Sequence, residues 1–192
     1  MIIVFTGNGK GKTTASLGQM VRVLGRGKSA LMIQFIKGPW RSGEDEFSER
    51  FALRAQTYAD PNADQRGQKI PTPQFTVKKM GLGFVGILGD KLPREEHQKA
   101  AEKALEYFKE EAAGKKWYLI VLDEINVAVS LGLLKPEHVI DAIKDYPKER
   151  LLILSGRGAP EEFIDAADLA TEMKEIKHPF NDGELAKYGV EF

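Results

Sequence analysis

The sequence contains no cysteine. Disulfides and thiolate metal ligation are therefore excluded, and a reducing, cytoplasmic setting is expected. Histidine is scarce as well, with three residues, none beside a serine and acid that would suggest a triad. An excess of one charge sign is missing too, because 28 basic and 28 acidic side chains cancel. Nucleic-acid binders usually carry a basic excess or stripe. The basic spots "KGPWR" (37–41) and "VKK" (77–79) are too short to form one. No window approaches the roughly 18 uncharged apolar residues of a membrane span. The opening "MIIVF" runs into a turn without a basic leader or cleavage site, so no signal peptide is expected. Internal repeats and low-complexity tracts are absent. What is left is ordinary: 192 residues, 42% hydrophobic and 29% charged, the profile of a globular protein of one domain.

Within that profile, apolar runs alternate with helical patterns. "IIVF" (2–5), "SALMIQFI" (29–36), "WYLIVLD" (117–123) and "RLLILSG" (150–156) read as strands. Their near-continuous apolarity suits a parallel sheet covered on both faces. From Arg94 to Ala113, Ala101, Ala104, Leu105 and Phe108 recur at helical spacing. "KPEHVIDAIKD" (135–145) has Pro136 in its first turn and Val139, Ile140 and Ile143 on one face, and "APEEFIDAAD" (159–168) starts similarly. The pattern predicts an α/β fold, a mostly parallel sheet with helices on both faces and right-handed crossovers. Residues 57–93 are rich in Gly and Pro without a sustained period, and read as either a substrate-covering segment or disorder.

The chemistry starts at "TGNGKGKTT" (6–14), directly after the first strand. A phosphate-binding P-loop has the spacing G-x-x-x-x-G-K-[ST]. Here the first glycine is Gly7 rather than residue 6, so the loop is one residue short. Gly7, Asn8, Gly9, Lys10 and Gly11 still allow backbone N–H groups to face phosphate oxygens. The helix that follows aims its positive end at the same oxygens, Lys12 adds a charge, and the Thr13 and Thr14 hydroxyls lie beside it. "LIVLDE" (119–124) ends a strand in Asp123 and Glu124, where carboxylates can complete a Mg²⁺ shell directly or through water. "LSGRGAP" (154–160) ends another strand and offers Arg157 to a polyanion. These residues predict binding of a nucleoside triphosphate with Mg²⁺, and leave the reaction open.

The sequence resembles the P-loop type of ATP:cob(I)alamin (corrinoid) adenosyltransferases, an α/β family with a P-loop NTPase-like (RecA-like) fold. The resemblance rests on "TGNGKGKTT" (6–14), "QFIKGPWRSGE" (34–44), "VLDEINVAVSLGLL" (121–134), "LSGRGAP" (154–160), "ADLATEMKEIKHPF" (167–180) and "GVEF" (189–192), in order along nearly the whole chain. It implies that the shortened loop holds ATP reversed relative to ordinary P-loop ATPases, with triphosphate as leaving group. Cobalt(I) of a reduced corrinoid would then attack the 5′-carbon. Lys12, Thr13 and Glu124 match the family's catalytic positions, with Thr13 and Glu124 as magnesium ligands. An external reductant, such as a flavoprotein, and a homodimer are also implied.

One departure stands out. Many members carry a "GFTWETQ"-like segment whose two aromatic rings are thought to press on the corrin. Here "GFVGILG" (83–89) keeps Phe84 but has Gly86 in place of the tryptophan. Phe84 is a candidate corrinoid contact, or alternatively a core or lid residue. Trp40, in "KGPWRSGE", is a further candidate for apolar surface. His97 and His138 are expected to be solvated, and His178 to shape a C-terminal turn. The competing function is a P-loop NTPase switch or motor that hydrolyses ATP, and a nucleotide-sensing module without turnover is a third.

Overall fold

The four apolar runs form the middle of one sheet. Strands β1 (Ile2–Thr6), β2 (Ala30–Gln34), β3 (Phe75–Lys79), β4 (Leu119–Asp123), β5 (Leu151–Ser155) and β6 (Leu169–Glu172) lie in the order β3-β2-β4-β5-β1-β6. Every pairing is parallel. The helices are α1 (Lys12–Leu24), α2 (Gly43–Thr57), α3 (Arg94–Ala113), α4 (Ile125–Ser130), α5 (Pro136–Ile143) and α6 (Glu161–Ala166). The computed structural model describes residues 1–57, 73–87, 89–185, 187 and 189. No helix among them is long and apolar enough to cross a membrane.

Strand side chains alternate between faces, and both faces are buried. Val4, Leu31, Ile33, Ile120, Leu122, Leu152 and Leu154 pack with Phe108 of α3, Val139 of α5 and Phe163 of α6. The alternate set, Ile3, Phe5, Ala30, Met32, Leu119, Val121 and Ile153, packs with Met20 and Val23 of α1. Burying each such large aliphatic side chain contributes about 1.5–3 kcal/mol, which explains why the central strands carry almost no polar residues before their last position.

The structure contains elements that the sequence reading lacked. Residues 75–79 are a strand rather than loop, pairing with β2 from Ala30↔Phe75 to Gln34↔Lys79. Phe75 packs edge-on against Phe47 of α2, ring centroids 5.0 Å apart. Residues 58–72 and 88 of the expected covering segment lie outside the described residues, as does "GVEF" apart from Gly189. The exposed edge strand β6 and helices α2 and α4 are likewise additions.

His97 overturns the expectation of a solvated side chain. It is only 3% exposed, with Nε2 3.0 Å from Asp90 Oδ2. The same carboxylate accepts the Gly86 N–H at 2.8 Å and the Leu92 N–H at 3.0 Å. Asp90 therefore ties the 86–92 turn to α3, and those amides hold its carboxyl below the usual range, with His97 adding to the effect. His138 on α5 is exposed, as expected.

Candidate active site

In a parallel sheet all strands end at one edge, and the polar residues that close the apolar runs collect there. Gln34 is in register with Asp123 across β2 and β4, and Phe5 with Ser155 across β1 and β5. After Thr6 the chain turns through Gly7 (φ +94°) and Gly11 (φ +110°) into α1. Two of the loop glycines are required by close approach as well. A Cβ on Gly7 would lie 2.4 Å from the Met173 carbonyl oxygen, and one on Gly9 would lie 2.6 Å from it and from the Lys174 carbonyl carbon. The Gly9 N–H donates to that Met173 carbonyl at 2.6 Å, and the Met173 N–H donates to Thr6 O at 2.8 Å. The short loop is thus stapled to the chain leaving β6. Not every glycine amide faces the cleft as the motif predicts, because that of Gly9 is directed to Met173.

Lys12 opens α1 and is 7% exposed. Its Nζ donates to the carbonyls of Gly7 and Gly9, both at 2.7 Å. Burial holds the ammonium below its usual range; Glu124 opposes this and Arg157 reinforces it.

The two adjacent carboxylates, equivalent in spacing, have different surroundings. Asp123 is fully buried. Its Oδ1 accepts from Thr13 Oγ1 at 3.0 Å and Ser155 Oγ at 2.7 Å, and its Oδ2 from Gln34 Nε2 at 3.1 Å. Burial pushes its carboxyl up, against hydrogen bonds from Ser155, Gln34 and Thr13 and the charge of Lys37. Glu124 follows at φ +62°, the one non-glycine residue with positive φ among those described. Such a conformation costs a β-carbon residue about 1–2 kcal/mol. It turns the chain sharply from β4 into α4, and Glu124 lines the cleft above the P-loop. Burial and the neighbouring Asp123 push its carboxyl up to about 7, against Lys12, Arg157 and Lys37.

This cleft has a volume of about 620 Å³ and is lined by Asn8, Gly9, Lys10, Gly11, Lys12, Thr13 and Thr14, with Lys37, Glu44, Glu124, Arg157 and His178. Arg157 is exposed at its rim. His178 belongs to the cleft wall, beyond the turn-shaping part expected of it; its carbonyl also accepts the Asn181 N–H at 3.0 Å. Sequence reasoning missed Gln34, Lys37, Glu44 and Ser155. Lys37 forms an ion pair with Glu44, whose Oε1 also accepts from Gln34 Nε2 at 3.2 Å. A polar residue closing an otherwise apolar strand was the available signal for Gln34 and Ser155.

A second cleft of about 340 Å³ adjoins the first and shares Lys37 and Glu124 with it. Its walls are aromatic: Phe84 and Trp40 have ring centroids 5.8 Å apart. Phe84 is 46% exposed, so it is not a core residue. Gly86 lies nearby in sequence at φ +69°, with no described atom within 4 Å of where its Cβ would be.

Among the described residues no group of three or more histidine, cysteine or acidic side chains is arranged to hold a metal. The donors at the first cleft nevertheless suit Mg²⁺. The Thr13 hydroxyl and Glu124 carboxylate are hard oxygen ligands, and this ion normally takes one or two carboxylates, with phosphate oxygens and water completing its shell.

The sequence matches the family described as ATP:corrinoid adenosyltransferase BtuR/CobO/CobP over residues 1–192. It is 31% identical over 192 residues to the corrinoid adenosyltransferase of Escherichia coli (strain K12), spanning 100% of this chain and 85% of that protein. Against the corrinoid adenosyltransferase CobA of Salmonella typhimurium (strain LT2) the identity is 32%, over 100% of this chain and 85% of the relative. A corrinoid adenosyltransferase of a Sinorhizobium species is 36% identical over 194 residues, 100% of this chain and 80% of its own. Matched along its whole length, and built around a shortened phosphate loop facing two acidic residues, the chain belongs to the ATP:corrinoid adenosyltransferase family.

Proposed function

We propose that this protein transfers the 5′-deoxyadenosyl group of ATP to the cobalt of a reduced corrinoid and releases inorganic triphosphate. The observation that carries the reading is the pair of adjoining clefts. A polar one lined by the short P-loop opens into an aromatic-walled one, and Lys37 and Glu124 belong to both. Two substrates of unlike chemistry can therefore meet at one boundary. Cobalt(I) of the corrinoid substrate supplies an electron pair to the 5′-carbon as the carbon–oxygen bond breaks. That bond's electrons leave with triphosphate, so neither a protein nucleophile nor a general base is needed.

The residues' work is then electrostatic and positional. Lys12, the N-terminal end of α1 and Arg157 place positive charge where the departing oxygen becomes negative. Asn8, Lys10, Gly11 and Thr14 frame the phosphate chain. Thr13 and Glu124 would hold Mg²⁺, which when bound supplies further charge neutralisation on the triphosphate. Asp123 acts behind them, fixing the Thr13 hydroxyl through its hydrogen bond. Phe84 faces the corrin. The whole chain works as a single catalytic domain, and an external reductant donates the electron that converts the corrinoid's cobalt(II) to cobalt(I) before transfer. Homodimeric assembly and a cytoplasmic location complete the proposal by resemblance to the family.

The phosphate product tests this reading. Protein, Mg-ATP and chemically reduced cob(I)alamin are mixed without oxygen. Inorganic triphosphate with loss of the cobalt(I) spectrum is the expected result. ADP and phosphate with cobalt(I) persisting would replace the proposal with the switch-or-motor reading. ATP binding with neither product would indicate a sensor.

A further inference from the structure

Trp40 is an unusual tryptophan. It is 61% exposed, whereas the protein's other tryptophan, Trp117, is 2% exposed in the core. One exposed apolar side chain is ordinary on a protein surface, but Trp40 adjoins Phe84, itself 46% exposed, and a contiguous exposed aromatic pair marks a binding surface. Its surroundings are built rather than incidental. The indole rests on the backbone of two glycines: a Cβ on Gly38 would lie 2.6 Å from Trp40 Cζ3, and one on Gly83 would lie 2.9 Å from Cζ3 and Cη2. Gly83 is held at φ +110°, a conformation that favours glycine on its own account. The Trp40 carbonyl accepts a hydrogen bond from Lys79 Nζ, and Lys79 is also ion-paired with Asp45. Asp45 in turn accepts from the backbone N–H and the hydroxyl of Ser42, both at 2.8 Å. The turn that carries the indole is therefore anchored to β3 and α2, and one face of the ring is supported from behind. The other side of the pair looks into the second cleft, where the Phe84 ring is tilted 38° from it.

We propose that Trp40 is the second aromatic wall of the corrinoid cleft and takes, from a different segment, the place left by Gly86. The inference rests on the adenosyl-transfer reading, since it assigns the second cleft to that reaction's corrinoid. A corrin is a broad, largely apolar ring with a polar rim. A cleft lined by two aromatic side chains together with the charged Lys37 and Glu124 matches that distribution. Tryptophan offers a rigid face with only two side-chain torsions to order on binding, and the glycine bed has already fixed this one. Gly86, by contrast, carries no side chain, and no described atom lies within 4 Å of where its Cβ would be.

The test is binding measured separately from chemistry. With full-length protein, cob(II)alamin retention in the presence of Mg-ATP is measured by equilibrium dialysis, and ATP affinity is measured without corrinoid. Trp40→Ala should weaken cob(II)alamin by about tenfold or more, the scale set by the large apolar area of a tryptophan and its ring contact, and leave ATP affinity within about twofold. Trp40→Phe should keep most of the affinity, staying within about threefold, because it keeps a ring on the glycine bed. If Trp40→Ala fails to fold, Trp40→Leu replaces it with the same expectation. Cob(II)alamin affinity unchanged in a folded Trp40→Ala or Trp40→Leu variant overturns the proposal. So does an equal loss of ATP and corrinoid, which would make Trp40 a support for the whole turn. Failure of the parent protein to retain corrinoid and to release triphosphate would instead count against the adenosyl-transfer reading itself.

Discussion

Replacing Lys12 with alanine removes an ammonium that is hydrogen-bonded to two carbonyls of the loop. In the structure this group donates 2.7 Å hydrogen bonds to the carbonyls of Gly7 and Gly9, and it stands close enough to Glu124 and Arg157 for both to shift its proton affinity. Two effects of different size follow. Without Lys12 two loop carbonyls lose a charged donor. Such a hydrogen bond nets about 1.5–3 kcal/mol when buried, but the cleft is open and water can replace the donor, so unfolding should shift by no more than about 2 kcal/mol. The chemical effect is larger, because charge develops on the departing triphosphate in the transition state. Losing one preorganised donor there costs about 3–4 kcal/mol, or roughly 10²–10³-fold in rate. The assay uses cob(I)alamin reduced beforehand, so that cobalt reduction does not mask the transfer step. Lys12→Met is the companion variant, keeping the apolar stem while removing the charge. Both should fall by the same two to three orders of magnitude, as about 10²–10³ is the donor's share. Transfer near the parent rate in Lys12→Ala would refute the placement of the triphosphate. Loss in Lys12→Ala but not in Lys12→Met would show that stem packing, not charge, carries the effect.

Three further outcomes are expected. Gly9→Ala would push a methyl to 2.6 Å from the Lys174 carbonyl carbon; overpacking of that kind costs about 1–3 kcal/mol, and chemical denaturation together with ATP titration should show both stability and nucleotide affinity reduced. Gly86→Trp meets no described atom within 4 Å at its Cβ but sits at φ +69°, a strain of about 1–2 kcal/mol; activity that starts from cobalt(II) should change more than activity from pre-reduced cobalt(I), and an equal change would count against a corrin-facing position. Asp90 has a carboxyl held below its usual range by the Gly86 and Leu92 amides, so its stabilisation is present above the unfolded-state value of about 4 and is lost as pH falls through the lower folded value. Limited proteolysis within 84–92 should accelerate over that acid window in the parent protein, and Asp90→Asn should flatten the pH dependence.

How far the sequence could be read depended on which residues owed their place to local pattern. The four central strands were legible because both of their faces are buried, leaving runs such as Leu119–Leu122 with no polar break. Helix α3 was legible because its buried Ala101, Ala104, Leu105 and Phe108 keep a strict spacing. The edges were not. "FTVKK" is a strand because Phe75 finds Phe47 and Phe51 of α2, and the residues of β6 are exposed throughout. Tertiary pairing also hid His97, which looks solvated among its helical neighbours until Asp90 comes round from the preceding turn. The candidate site divides the same way. The loop, the acidic pair and Arg157 announce themselves at strand ends, while spacing could not distinguish Asp123 from Glu124. The left-handed turn at Glu124 separates them, leaving one carboxylate under Thr13, Ser155 and Gln34 and the other on the cleft. Trp40 and Phe84 are more than forty positions apart, so only folding could bring them together.

The central claim is that the whole triphosphate leaves in one piece as a cobalt–carbon bond forms, and doubly labelled ATP tests it most directly. The nucleotide carries one label in the adenosine and a second on the terminal phosphate, and it is incubated anaerobically with the protein, Mg²⁺ and cob(I)alamin. The account predicts that the adenosine label enters a light-sensitive corrinoid in equal amount to terminal label recovered as inorganic triphosphate. Terminal label recovered as orthophosphate, with the adenosine label in ADP and none in the corrinoid, would contradict it.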